Sequence, residues 1–271
     1  MTRLALPVLV SIAMAVPAFA SDDTWSDLAS ELFDERTLHD GSHVIAIDAP
    51  YRTPDDARAQ IAAQIEAPDG RLLDNVQVIL DENPMPVSAV FTFDTPQPRF
   101  FFDVTMRVNG PTPLHVVAET TDGQLYVAET FVKTSGLGAC AAPPGSDPAE
   151  ALATLGNMMI GIEANRQTAS VSEKLDALML REKQVDVDIS HPSHSGMQMD
   201  QISLLFIPMR YVENLEIDLD GGGYVDITGS ISLSENPRIS MSVPRRTHSV
   251  DVTMTDTDGT VTHAHKTIEA H

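Results

Sequence analysis

Apolar and polar residues alternate one for one through most of this chain, in short runs cut by Gly, Pro, Asn and Asp. Period-two alternation puts every second side chain on one face, the pattern of a strand buried on one side. Val76, Val78 and Leu80 alternate with Gln77 and Ile79, and beyond the break "DENPMP" the pattern resumes at Val87, Ala89, Phe91 and Phe93. Asn83, Pro84 and Pro86 do not continue a ladder, so the break is a turn. Val104, Met106 and Val108 face one way, and Asp103, Thr105 and Arg107 the other. "PLHVVAETTDGQLYVAETFVKT" reads as a hairpin turning on Asp122-Gly123, with its second strand running from Leu125 to Lys133. The period returns at Val185 in "VDVDIS", "LEIDLD", "YVDITGSISL" and "RISMSV", and "SVDVTMTDTDGTVTHAH" makes a second hairpin on Asp258-Gly259. Short strands with frequent turns predict an all-β sandwich fold.

The alternation stops between residues 141 and 182, which divides the chain into two β domains, 21–140 and 183–271, joined by a partly helical linker. Asp147 is an N-cap and Pro148 a first helical residue, and "SEKLDALMLREK" has helical composition. Before the first strands, "WSDLASELF" sets Trp25, Leu28, Leu32 and Phe33 on one helical face, a short amphipathic helix suited to dock on the first domain.

Residues 1–20 read as a signal peptide: Arg3 precedes an apolar run from Leu4 to Val16, and Ala18-Phe19-Ala20 forms an A-x-A cleavage site. The run is too short for a bilayer span. The expected location is the periplasm, with no membrane span in the mature chain. The net charge of -22 opposes partnership with nucleic acid or anionic lipid and suits a solvated surface that steers basic partners.

Export makes the cysteine usage informative. Cys140 is the single cysteine, in "TSGLGACAAPPG", and cannot close a disulfide within the chain. An odd thiol in an exported protein points to an intermolecular partner or a reactive group. The alternative is a buried, inert cysteine, but the Gly, Ala and Pro around Cys140 build little wall to bury it. Gly136, Gly138 and Gly145 make the surrounding loop thin and flexible. Lys133 is the nearby base, with Asp147 and Glu150 on the other side. A second candidate is "HPSHSGMQM", where His191 and His194, spaced i and i+3, are followed by Met197 and Met199; imidazole with thioether suits copper. Against it stands a structural turn with its methionines packed between the domains. A third reading, a purely structural or adhesive module, leaves Cys140 dispensable. No Gly-rich phosphate loop, nucleophile elbow or H-E-x-x-H motif is present, so an independent enzyme is not expected.

"LDENPMPVSAVF", "HVVAETTDGQLYVAETFVK" and the glycine-bracketed Cys140 resemble SoxY, the sulfur-carrier subunit of bacterial thiosulfate oxidation. "ISHPSHSGMQMDQIS", "FIP", "SISLSENPRISMSV" and "DVTMTDTDGTVTHAHKTI" resemble its partner SoxZ. Together they resemble the fused SoxYZ-like carrier associated with quinoprotein dehydrogenases. The resemblance implies immunoglobulin-like sandwiches for both halves, Cys140 as the covalent carrier of sulfur intermediates, no bound cofactor, and periplasmic enzymes of the Sox or quinoprotein dehydrogenase systems as partners. The arm departs from the family's: "GLGACAAPP" has fewer glycines, prolines follow the thiol, and a whole domain follows the cysteine.

Overall fold

A computed structural model describes residues 22–68, 70–136, 139, 148–163, 183–199 and 203–268. Helix α1 (Asp22–Phe33) leads into β1 (Leu38–Asp40), β2 (Ile45–Asp48), β3 (Ala59–Glu66), β4 (Leu73–Leu80), β5 (Val87–Gln97), β6 (Arg99–Met106), β7 (Thr112–Thr120) and β8 (Leu125–Val132). Helix α2 (Pro148–Ala153) then precedes β9 (Met158–Glu163), β10 (Lys183–Ile189), β11 (Val212–Leu219), β12 (Gly222–Gly229), β13 (Arg238–Val243), β14 (Ser249–Asp256) and β15 (Val261–Thr267). The all-β expectation holds. Both hairpins form where the Asp-Gly pairs place them, with Gly123 and Gly259 at φ 78° and 82°.

The strands make two sheets, and each sheet runs through both parts of the chain. The nine-stranded sheet has the order β1-β8-β7-β4-β5-β12-β11-β14-β15, and the six-stranded sheet β2-β3-β6-β13-β10-β9. The seams are antiparallel. β5 pairs β12 from Phe93↔Val225 to Ala89↔Gly229, and β6 pairs β13 at Val104↔Ile239, Asp103↔Ser240 and Phe102↔Met241. The two expected domains are therefore joined by continuous ladders.

The core follows the same continuity. Phe91 stacks on Phe102 at 4.8 Å between centroids and lies 5.4 Å from Phe100; these rings share one apolar cluster with Ile227, Ile239 and Met241 from the second part. The other face of the nine-stranded sheet is covered near its first edge by α1. Phe33, Ile79, Val117 and Leu125 form a second small cluster, against which Trp25 and Ala29 pack. Ile79 thus escapes the alternation of its strand because a helix, not water, lies on its side. Leu32, expected on the docking face, is exposed instead; Trp25, Ala29 and Phe33 make the stripe.

The run 141–182 also differs from expectation. Its described part contains α2, beginning at Pro148, and then strand β9, which pairs β10 from Met158↔Ile189 to Glu163↔Gln184. Met158, Ile160 and Ile162 face the core, a period of two too short to stand out beside the helical signals around it. "SEKLDALMLREK", apart from Lys183 at the start of β10, lies outside the described residues, as do Asp147 and residues 1–20.

Candidate functional site

Strand directions bring the root of the thiol loop, the "DENPMP" and "SISLSENP" turns and the start of the His/Met segment to one end of the sandwich. Val132, where β8 ends, pairs Thr112; Leu80, before the "DENPMP" turn, pairs Leu114; and Gly229, before "SISLSENP", pairs Ala89. Ile189, before the His/Met segment, pairs Met158 at the same end of the other sheet. The two Asp-Gly turns lie at opposite ends: Asp258-Gly259 at this one, Asp122-Gly123 at the far one.

The thiol loop leaves β8 through a clamp. Lys133 N–H donates to the Tyr51 carbonyl (2.7 Å), and Thr53 N–H donates to the Lys133 carbonyl (2.9 Å). Beyond it, the buried Asp56 carboxylate accepts from Ser135 N–H (2.6 Å) and Gly136 N–H (3.1 Å). Two backbone donors on one buried carboxylate fix the direction of the chain at the root of the loop. Gly136 sits at φ 92° with open space where a Cβ would stand, so glycine is required here by conformation and not by crowding. Ala139 is 1% exposed. Cys140 itself, Gly138 and Gly145 lie outside the described residues.

Tertiary structure adds two cations that sequence proximity to Cys140 did not suggest. Arg52 donates from Nη1 to the Thr134 carbonyl (3.2 Å), and Arg58 reaches the Glu235 carbonyl; both are exposed. Arg52 thus sets a positive charge at the root of the thiol loop, into which Lys133 leads, in a strongly acidic chain; Arg58 sits at the neighbouring "SENP" turn. Positive charge favours thiolate over thiol and holds anionic sulfur groups.

The "DENPMP" and "SISLSENP" turns form a polar junction next to this root. Asn83 donates from Nδ2 to the Arg107 carbonyl and to Ser232 Oγ, both at 2.9 Å, and accepts from Asn109 N–H at 2.9 Å. Arg107, buried, donates from Nη1 to the Ile231 and Leu233 carbonyls at 3.1 and 3.0 Å. Val108 N–H donates to the Asp56 carbonyl (2.8 Å), which ties the junction to the loop clamp. A cleft beside it is lined by Asn83, Pro84, Arg107, Ser195, Met197 and Ser232.

The His/Met segment divides. His191 is buried, with Nδ1 against Ser193 Oγ (3.2 Å) and Nε2 against Asp256 Oδ2 (3.4 Å); Arg210 Nε also donates to that carboxylate (2.8 Å). Burial, partly opposed by Asp256, pushes the His191 imidazole down to about 4. Burial would raise Asp256, but the Thr260 N–H and Arg210 hold it below its ordinary value. His191 is thus a structural histidine. His194 bonds Gln198 Oε1 through Nδ1 (2.9 Å), while Met197 and Met199 point outward. Both histidines weighed as copper ligands are thus engaged by hydrogen-bond partners of the fold, and among the described residues no group of three or more His, Cys, Asp or Glu is placed to hold a metal.

Two families of known proteins match parts of the chain. Residues 29–140 match the sulfur oxidation protein SoxY, and residues 179–267 match the sulphur oxidation protein SoxZ. The chain is a fused SoxYZ-like protein, a SoxY domain followed by a SoxZ domain in one polypeptide. No curated protein matches it. The sulfur carrier protein SoxY from Chlorobium limicola f thiosulfatophilum is 23% identical, covers 42% of this chain and 99% of its own, and has a TM-score of 0.34. A bacterial ice-binding adhesin at 11% identity covers 82% of this chain and 61% of its own with a TM-score of 0.22. A β-glucuronidase from Parabacteroides merdae, also at 11%, covers 83% and 24% with a TM-score of 0.21.

Proposed function

We propose that this chain is a periplasmic sulfur carrier, not a catalyst, which holds a sulfur-containing group covalently on Cys140 and presents it to enzymes of the Sox or quinoprotein dehydrogenase systems. The observation that carries the reading is the clamped root of the thiol loop. Asp56 fixes where the loop leaves the sandwich, and Arg52 and Lys133 stand at that exit, in the domain that matches SoxY. Among the described residues no helix is long and apolar enough to cross a membrane. Residues 1–20 supply the export signal.

The chemistry follows from the thiolate. Cys140–S⁻ and thiosulfate join through a new S–S bond to give Cys140–S–S–SO₃⁻, releasing two electrons to an oxidising redox enzyme. The product keeps one negative charge on the terminal sulfonate, which Arg52 and Lys133 suit. The carrier contributes presentation and charge, and its partners contribute oxidation and hydrolysis.

Mass spectrometry of the chain purified without reductant checks this. Reduced protein incubated with thiosulfate and an oxidant should gain an adduct on Cys140 that reductant removes, and Cys140→Ala should gain none. Cells carrying only Cys140→Ala should lose growth on the sulfur compound or alcohol concerned. Growth equal to the parent's overturns the carrier reading, and loss of growth only on changing His194, Met197 and Met199 replaces it with the copper reading.

A further inference from the structure

Residues 191–199 and 203–211 leave the sandwich as the two arms of a narrow ribbon, at the same end as the root of the thiol loop. His194 bridges Arg210, Met199 bridges Phe206, and Ile207 N–H donates to the Gln198 carbonyl at 2.8 Å. The ribbon is built inside out. Its polar residues Ser193, Ser195 and Gln198 are buried, whereas Met197, Met199, Leu204, Leu205, Phe206 and Met209 are exposed. Leu204, Leu205 and Phe206 are 69%, 68% and 66% exposed. A strand pair that served only its own fold would turn these residues inward and the serines outward. Met199 and Phe206 are directly opposite, so their side chains share one face within contact of each other. Leu204 takes a φ of 57°, a left-handed conformation that apolar L-residues rarely adopt.

We propose that this ribbon is the docking surface for the partner enzyme that serves Cys140, and that the partner offers an apolar groove edged with basic residues. The inference rests on the carrier reading above. Three observations select this occupant. The ribbon and the thiol-loop root flank the same Asn83–Arg107 junction, since Met197 and Ser195 line the cleft there and Val108 N–H is held by Asp56. A protein gripping the ribbon therefore meets the root of the thiol loop as well. Exposed Glu213 stands at the end of the sandwich where the ribbon rejoins it; Asp258, at the same end, is paired with Arg210 Nε at 3.3 Å. At a net charge of -22, a second copy of this chain repels the first, and an anionic bilayer repels it too, whereas a basic rim is attracted.

The test uses the full chain in cells and the adduct on Cys140 as its readout. Leu204→Ser, Leu205→Ser and Phe206→Ser combined should lower the fraction of Cys140 carrying sulfur at least tenfold. The purified variant should react with a small thiol reagent, and load with thiosulfate and a chemical oxidant, at the parent's rate. Glu213→Lys should lower cellular loading several-fold, while a Glu213→Gln change lowers it less. Unchanged loading in the triple variant overturns the docking surface and leaves the carrier reading intact. A parent that carries no adduct in cells overturns both. A parent that sediments as a dimer, which the triple variant disperses, overturns the partner in favour of a second copy.

Discussion

Asp56 shows how one buried carboxylate sets the position of a reactive loop. It accepts from two successive backbone donors, Ser135 and Gly136, and lies 3.4 Å from Thr53 Oγ1. Removing both oxygens in Asp56→Ala leaves those amides without this partner, at a cost of about 1–3 kcal/mol. Thermal unfolding should show that loss, and hydrogen exchange at Ser135 and Gly136 should speed up far more than at the strand amides of β8. Asp56→Asn keeps one acceptor and should lie between the two. Equal protection in Asp56→Ala and the parent would show that the clamp is not what fixes the root. Nothing in "YRTPDDARAQ" marks Asp56 above Asp55 in sequence; only the fold carries one of the two inward to meet a loop eighty residues away.

At the scale of elements, the seams decide the architecture. β5 and β12 pair over five registered positions, with Gly229 opposite Ala89. A Cβ on Gly229 would stand 2.3 Å from the Val212 carbonyl oxygen, so the close approach of β12 to β11 needs glycine there. Separated, each half exposes an unpaired edge on β5 or β12 and on β6 or β13, together with apolar core faces. Residues 21–140 and 141–271 made as separate chains should therefore aggregate or stay partly unfolded alone. Made together, they should co-purify as a 1:1 complex. The natural tether raises their mutual effective concentration to roughly the millimolar range. Two separately stable, non-associating halves on size-exclusion chromatography would contradict the shared ladders.

For the whole molecule, two buried groups oppose each other in acid. Burial raises Asp103 to about 6, against a hydrogen bond from Gln60 and the nearby Arg238. Stability tied to it is complete below its unfolded value of about 3.9 and is lost as pH rises to about 6. His191 is depressed to about 4, so its contribution is complete above about 6.5 and is lost as pH falls to about 4. The two slopes offset each other between pH 4 and 6. Asp103→Asn keeps an acceptor for Gln60 and removes only the first slope. The variant should match the parent near pH 4 and exceed it above pH 6 by on the order of 2–3 kcal/mol. Melting temperatures across that range check it, and a difference independent of pH would refute it.

Local pattern by itself determined strands β4 to β8 and β10 to β15, the two Asp-Gly hairpins, the break around Pro84 and Pro86, and the solitary thiol, because side-chain period and turn chemistry are properties of neighbouring residues. The resemblance of "DENPMP" and "SENP" to SoxY and SoxZ segments was legible in the same way. Tertiary structure alone decided that the two halves share sheets, that β9 joins an edge, and that Ile79 faces a helix. It alone turned His191 inward and Leu204, Leu205 and Phe206 outward, and drew Arg52 and Asp56 to the root of the thiol loop. Each of these depends on partners far along the chain, and a period of two states which residues share a face without stating what that face will meet.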